Sequence, residues 1–574
     1  MAKRFPWRSQ SGPARSRSNL SPKHGREQRR FSSSNKRHQV SDLFQYTSGR
    51  WMYNDALRHA ERRRTFNVPE LKRLAAQSVQ HREEDVVDLV KLAEGGFNRS
   101  FLITLQNGRQ LVARIPYPVT EPKALVIASE VATMDFVRSH GIPVPKIFDY
   151  AIREDNAAGT EYIFMEYVQG INLGDIWFTL TRKQREKIVT SLVELESRLF
   201  ALQFPASGSL FYSRDLADNI PRVPPRVPPR REDTDTWKDF CIGPDMSLGM
   251  WYGRRLGLLV DRGPYNDSLS ALTAGAKKEI AYLTKYGRPI QPLQRLRREL
   301  YDYKEQSHLE HLATLNTFLQ AAPHLIPNEN PTLQRPVIRH PDLQPNNVFV
   351  TPDLEISSVI DWQHASILPL FLQCGVPNSL QNYGDPVSET LQVPAVPNFD
   401  DLGEEDQYHV VEIFRKRHLH YLYFAKTAAL NRTHHEALSY PLSILRRRLF
   451  RHASELWEGD NITLKADLVR MSREWTKLDI YETVPYPKTY SEEESAEYLR
   501  LDHAQVEADE QLQTCQDIVG VGSEGWVPLE NYNEAKQRER KLKADALEAV
   551  ESEEERMRLE QNWIFDDFPE DEYL

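Results

Sequence analysis

Residues 337–362 read VIRHPDLQPNNVFVTPDLEISSVIDW, and no other stretch restricts the fold of this chain as tightly. Short β-prone runs at 337–339, 348–350 and 356–360 are separated by a polar loop and by the turn Thr351-Pro352-Asp353. A strand, a loop and then a hairpin are therefore predicted. The hairpin would bring Asp361 back beside Asn347, while Asp342 projects from the loop. Each of these residues has an ordinary structural role when taken singly: Asp342 as a turn cap, Asn347 as a partner for loop backbone, Asp361 as a strand end. Together with His340 they form a different pattern. One carboxylate can orient or deprotonate a hydroxyl, and an amide oxygen with a second carboxylate can hold Mg²⁺ against phosphates, as phosphoryl transfer requires.

The residues upstream suggest two lobes. From Gly95 the chain reads GGFNRSFLITLQNGRQLVARIPYP, a glycine-containing loop running into a hairpin signalled by Asn107-Gly108. Gly95 and Gly96 leave backbone N–H groups free to approach phosphates, because no Cβ stands in the way. A helix is predicted over 124–140, carrying Glu130, and β-type runs follow at 146–152 and 162–168. This order predicts a small mixed lobe that ends near Gly170. Beyond it the apolar spacing turns helical, first over 181–202 behind a Thr181 cap, then at 305–322, 404–431, 439–457 and 462–475.

The segments HPDLQPNN (340–347) and Ile360-Asp-Trp362 resemble the catalytic loop and metal-binding element of the aminoglycoside phosphotransferase and choline kinase-like superfamily. The resemblance spans about 85–475 and implies an α+β, two-lobed protein kinase-like fold that uses ATP and Mg²⁺. It implies Asp342 as the catalytic carboxylate with His340 as a brace for its loop, and Asn347 and Asp361 as metal ligands. Gly95, Gly96 and Asn98 would cover the phosphates. Arg114 would take the place of the nucleotide-contacting base, with Glu130 as its partner, and the strand around Glu166 would form the adenine-binding hinge. Three departures stand out. Arg replaces the usual Lys at 114, and a guanidinium prefers bidentate contacts; a structural ion pair is the alternative reading there. Gln344 stands where kinases of Ser or Thr carry Lys, and no glycine follows Trp362. The last two favour a small-molecule acceptor over a protein. The runs GGFNRSF (95–101) and LVARIPYP (111–118), Ile242-Gly-Pro and an acidic-tailed helical end are also similar to the fungal mitochondrial group typified by altered inheritance of mitochondria protein 9.

These readings divide the chain into a basic presequence (1–50, expected to be disordered), an N-terminal extension (51–84), an N-lobe (85–170), a C-lobe (171–475) with an insertion at 205–303, and a C-terminal extension (476–574) with an acidic tail. The Pro/Arg run at 221–230 is expected to be an exposed spacer or, alternatively, a ligand for a proline-recognising partner. From 534 onwards a solvated helix ending in an acidic peptide is predicted. The first forty residues are rich in Arg and Ser with Glu27 as their only acid. That composition fits a mitochondrial transit peptide and a matrix location, or a nuclear or RNA-binding tail. Three scattered cysteines suit a reduced compartment. No apolar run approaches the roughly 20 residues of a membrane span, and no specific nucleic-acid motif emerges. The expected partner is a small-molecule hydroxyl acceptor, and acids in the large lobe would attract a cationic one such as an amino sugar or choline-like amine. The competing class is a pseudokinase-like module that binds nucleotide or a partner in support of mitochondrial maintenance. Oligomeric state is not legible.

Overall fold

The computed structural model describes residues 40–225, 239–396, 403–478 and 484–573. A short helix (Val40–Phe44) and strand β1 (Gly49–Trp51) lead into helices Asp55–Arg62 and Val68–Ser78. The second of these starts where the Asn67 side chain accepts from Glu70 N, with proline in the first turn. Strands β2 (Val86–Glu94), β3 (Asn98–Leu105) and β4 (Gln110–Pro116) precede the helix Lys123–Ser139, and β5 (Ile147–Ala151) and β6 (Tyr162–Glu166) complete an antiparallel sheet of order β2-β3-β4-β6-β5. The Asn107-Gly108 turn joins β3 to β4 as expected, with Gly108 at φ +80.

Alternation along β4 decides which way each side chain faces. Leu111, Ala113 and Ile115 are buried and, with Phe101 and Ile103, pack against Leu43, Phe66, Leu71, Ala75 and Val79. Arg114 lies on the opposite face, where it meets Glu130 of the helix Lys123–Ser139. The residues before β2 thus supply a third of the N-lobe core. Each buried Leu or Phe there contributes about 1.5–3 kcal/mol relative to exposure, so the lobe needs these residues. The expected presequence boundary at 50 falls inside this structure: residues 40–50 are built into the fold, and 1–39 lie outside the described residues.

The larger lobe begins with β7 (Ile171–Asn172) and the helix Arg182–Phe200, which Thr181 and Gln184 open as a capping box. Strands β8 (Ser209–Tyr212) and β9 (Phe240–Gly243) pair with each other, and helices Ser268–Tyr286 and His308–Ala321 follow. Strands β10 (Pro336–Ile338), β11 (Val348–Val350), β12 (Ile356–Val359) and β13 (Ile367–Pro369) come next, and then helices Glu404–Leu430, Ser443–Ser454 and Ile462–Glu474. β11 sits between β12 and β7, and β10 pairs with β13.

Two expectations change here. The 205–303 segment is not a peripheral insertion: Leu210, Phe240, Ile242, Leu272 and Ala276 belong to the main core, and Phe240 meets Phe136 edge-on with ring centroids 5.4 Å apart. The Pro/Arg run begins as an anchored edge, since Val223 exchanges backbone hydrogen bonds with Ile242 at 2.8 and 2.9 Å; residues 226–238 lie outside the described ones. The C-terminal extension is not solvated either. The helix Glu492–Val519, strand β14 (Trp526–Pro528) and helices Tyr532–Glu548 and Glu553–Gln561 bury Val519, Val527, Leu542, Trp563 and Phe565 around Met52. The acids of the tail find partners: Asp567 accepts from Asn54 N, Asp566 pairs with Lys543 and Glu570 pairs with Arg58. β14 pairs antiparallel with β1, so the two ends of the chain share one small sheet. Among the described residues no helix is long and apolar enough to cross a membrane.

Candidate active site

The predicted loop and hairpin form, and they bring His340, Asp342, Asn347 and Asp361 together. Ile360 N donates to the carbonyl of Asn347 (2.9 Å), which ties the end of β12 to the loop. Asp361 follows in the left-handed region at φ +69, uncommon for a residue other than glycine. His340 is the brace: Asp342 N donates to its Nδ1 (3.1 Å), its Nε2 donates to the carbonyl of Ile360 (2.9 Å), and its ring packs edge-on against Trp362. These bonds fix one neutral tautomer. Burial agrees, pushing His340 down to about 4.

Asp342 is exposed; Gln344 Nε2 donates to its Oδ2 (2.5 Å) and Asn347 Nδ2 approaches the same oxygen (3.3 Å). Burial of its inner part and the charge of Asp361 raise its pKa, and the two amide donors pull against that. Asn347 also donates to the backbone carbonyl of Asp342 (2.9 Å), so its amide nitrogen is committed and its oxygen is left as an acceptor.

Arg114 joins the lobes. Its Nη1 lies 2.9 Å from Glu130 and its Nη2 lies 2.6 Å from Asp361, and Nη2 also donates to Gln363 Oε1 (3.1 Å). Burial of this arginine disfavours its charge, but Glu130 and Asp361 overcome that and hold it protonated. Burial likewise works against ionisation of Asp361, and Arg114 reverses the effect, so its carboxylate stays below the usual range. Glu130, more deeply buried, is pushed up to about 7 despite Arg114. Arg114 thus pairs with both Glu130 and Asp361.

The glycine loop lies against the far end of this group. Gly95 N donates to the carbonyl of Asn98 (2.9 Å), Asn98 Nδ2 donates to Gln363 Oε1 (2.5 Å), and the Phe97 ring meets His364 with centroids 5.5 Å apart. A Cβ on Gly96 would touch nothing within 4 Å, so this glycine answers to no packing demand in the protein. Glu166 is the site residue set apart: its N–H donates to the carbonyl of Lys146 (2.8 Å) and its carboxylate accepts from Lys146 N (3.1 Å), along the edge of the sheet. Gln363 and His364 were not expected. The only signal for them is their position next to Ile360-Asp-Trp362, and their partners lie some 265 residues earlier.

Among the described residues no three His, Cys, Asp or Glu side chains converge as a ready-made metal cluster. The arrangement suits Mg²⁺ nonetheless, because that ion favours one or two hard oxygen ligands from protein and fills its shell with water and substrate phosphates. An ionised Asp361 and the spare amide oxygen of Asn347 meet that description.

A β-sheet lobe joined to a helical lobe, with a paired Arg–Glu on one side and an Asp, Asn, Asp loop on the other, defines a kinase-like phosphotransferase. The chain belongs to the phosphotransferase enzyme family, whose sequence model matches residues 88–371. It is 32% identical to a subtelomeric hrmA-associated cluster protein of Aspergillus fumigatus over 517 residues, 84% of this chain and 97% of that one. It is 24% identical to altered inheritance of mitochondria protein 9, mitochondrial, of Candida tropicalis, over 87% of this chain and 86% of that protein. Similar solved structures include the streptomycin–ATP–APH(2")-IIa ternary complex (TM-score 0.33, 12% identity, 71% of this chain and 96% of that chain) and ADP-bound aminoglycoside phosphotransferase APH(2'')-Ib (TM-score 0.32, 12% identity, 76% and 97%).

Proposed function

We propose that this protein transfers the γ-phosphoryl group of ATP to a hydroxyl of a small molecule, with Mg²⁺ as cofactor, in the mitochondrion. The observation that carries this reading is the Arg114 bridge between Glu130 (2.9 Å) and Asp361 (2.6 Å), which brings the base of the small lobe to the metal-side acid of the large one. Asp342, held by Gln344 and Asn347, aligns the acceptor hydroxyl and takes its proton at the carboxylate as the oxygen attacks phosphorus. Asn347 and Asp361 would hold Mg²⁺, which when bound offsets the charge of the phosphates. Gly95, Gly96 and Asn98 cover the phosphates, and the strand ending at Glu166 offers hinge backbone to the adenine. Mitochondrial placement, in the matrix, is supported by the basic amino terminus and by the likeness to altered inheritance of mitochondria protein 9. A reporter fused to residues 1–40 tests it, and nuclear accumulation would refute it.

The enzymatic reading is tested by screening a metabolite pool for ATP-dependent phosphorylation with native protein and with Asp342→Asn. Loss of the general base is expected to lower transfer by about 10²–10⁴-fold with Mg·ATP affinity retained. The Arg114 contact with Asp361 also supports a second reading, a pseudokinase-like module, because a guanidinium there competes with metal for the carboxylate. Mg·ATP binding without turnover, indifferent to Asp342→Ala, would decide for that module.

A further inference from the structure

The large lobe and the helix Glu492–Val519 line a half-open cavity of about 1480 Å³ beside the frame that carries the catalytic loop. Arg339, directly after β10 and three residues before Asp342, is on its lining, as is Leu368, which pairs with Val337 across β10 and β13. Asp245 lines it too, with Oδ1 accepting from Ser366 Oγ (2.6 Å) and Ser247 N (2.9 Å). At Gly375 two guanidiniums converge: a Cβ placed there would lie 3.1 Å from Nη1 of both Arg339 and Arg447. Glycine at 375 leaves that corner open.

Arg447 is the unbalanced charge. The other arginines of the lining face acids: Arg339 faces Glu196, Arg297 faces Asp460 and Asp509, Arg448 and Arg470 face Asp467, and Arg451 faces Glu455. Among the described residues Arg447 donates to no acceptor, and its Nε is buried without a hydrogen bond. His434, whose Nε2 accepts from Gly375 N (3.1 Å), is held neutral by burial, and both arginines push it further the same way. Glu458, also on the lining, is pushed up by burial, and the arginines that act on it are Arg297 and Arg255. For a partly buried guanidinium without an acid, an anion is the strongest partner, through charge-assisted hydrogen bonds.

We propose that this cavity binds a hydroxyl-bearing oxyanion, a polyol phosphate or a hydroxycarboxylate, with the anionic group on Arg447 and the hydroxyls towards Asp245. None of Asp342, Asn347 and Asp361 is on the lining, so the site stands apart from the phosphotransferase reading. A cationic ligand is disfavoured, because Arg297 and Arg470 already engage Asp460, Asp509 and Asp502 on this wall.

The test is calorimetric titration of the full chain with glycerol 3-phosphate, gluconate and, as a cationic comparator, kanamycin, alongside Mg·ATP. Native protein is expected to bind at least one oxyanion, with preference between the two assigning phosphate or carboxylate. Arg447→Ala should weaken that binding at least tenfold, Arg447→Lys should restore part of it, and Mg·ATP affinity should stay within twofold. No oxyanion binding, binding indifferent to both variants, or kanamycin displacing the oxyanion would overturn the proposal. Arg447-dependent oxyanion binding in a protein that does not bind Mg·ATP would remove the phosphotransferase reading and leave the oxyanion site standing.

Discussion

At the scale of single residues, the chemistry depends on how one carboxylate is tuned. Burial and the neighbouring charge of Asp361 both favour the protonated form of Asp342, while the amides of Gln344 and Asn347 favour the ionised form that accepts a proton. In the proposed reaction Gln344 is therefore a positioning residue that would keep Asp342 usable as a base at lower pH. Gln344→Ala removes a donor at 2.5 Å, so the Asp342 pKa should rise further. The acid limb of the kcat/KM profile should then move to higher pH, with the alkaline limb unchanged; identical acid limbs in the variant and the native protein would refute the assignment. His340 was legible as a brace because both its bonds stay within the motif, whereas Gln363 was not. A glutamine beside a tryptophan carries no mark of a partner across the cleft.

At the scale of elements, the base of the glycine loop is clamped from outside the kinase-like lobes. Glu94, the last residue of β2, pairs with Arg99 of β3 at 2.9 Å and accepts from the backbone N–H groups of Thr47 and Ser48, also at 2.9 Å. Those two residues lead directly into β1, which β14 holds in register. Burial favours protonation of Glu94, yet Lys91, Ser48 and Arg99 hold its pKa below the usual range, so it is a fixed negative charge at the loop's hinge. Glu94→Ala would strand Arg99, which is 1% exposed. Leaving a buried charge unpaired costs about 3–5 kcal/mol, and chemical denaturation should show a loss of that order together with a higher KM for ATP. A variant of unchanged stability would mean that Arg99 finds other partners. The individual strands of this clamp are three residues long, Gly-Arg-Trp and Trp-Val-Pro, too short for any pattern to distinguish them from loop.

At the scale of the whole molecule, buried histidines set the response to acid. Burial lowers His311 and His340 to about 4, well below the value an unfolded chain would give them. Between that ordinary value near 6.5 and about 4 the unfolded state binds protons that the folded state refuses, so stability falls as pH falls. Each histidine contributes up to about 3 kcal/mol to this slope. Glu279 adds to it lower down: burial opposes its charge, but Lys278 and Arg255 hold it at about 2, so its contribution is lost below the ordinary carboxylate range. Glu130, which burial holds at about 7, has the opposite sign between that value and its ordinary one and offsets about one histidine. The other histidine and His434, which burial also lowers, should still make denaturation midpoints fall from pH 7 to pH 4, and a flat profile would show that these histidines are reached by water in the folded state.

The sequence by itself determined what is local: the His340 to Asp361 frame, in which a single hairpin closes the site, the glycine-loop hairpin, and the helices with three- and four-residue apolar spacing. It also carried the resemblance to the phosphotransferase family, through HPDLQPNN (340–347) and Ile360-Asp-Trp362. Tertiary structure decided the rest. The Arg114 contact with Asp361 spans 247 positions and the pairing of β1 with β14 joins the ends of the chain, and loop closure over such distances leaves no trace in residue spacing. The same holds for the charge left unpaired at Arg447. Whether an arginine is balanced is a property of what packs around it, and only the folded chain supplies the neighbours that are counted.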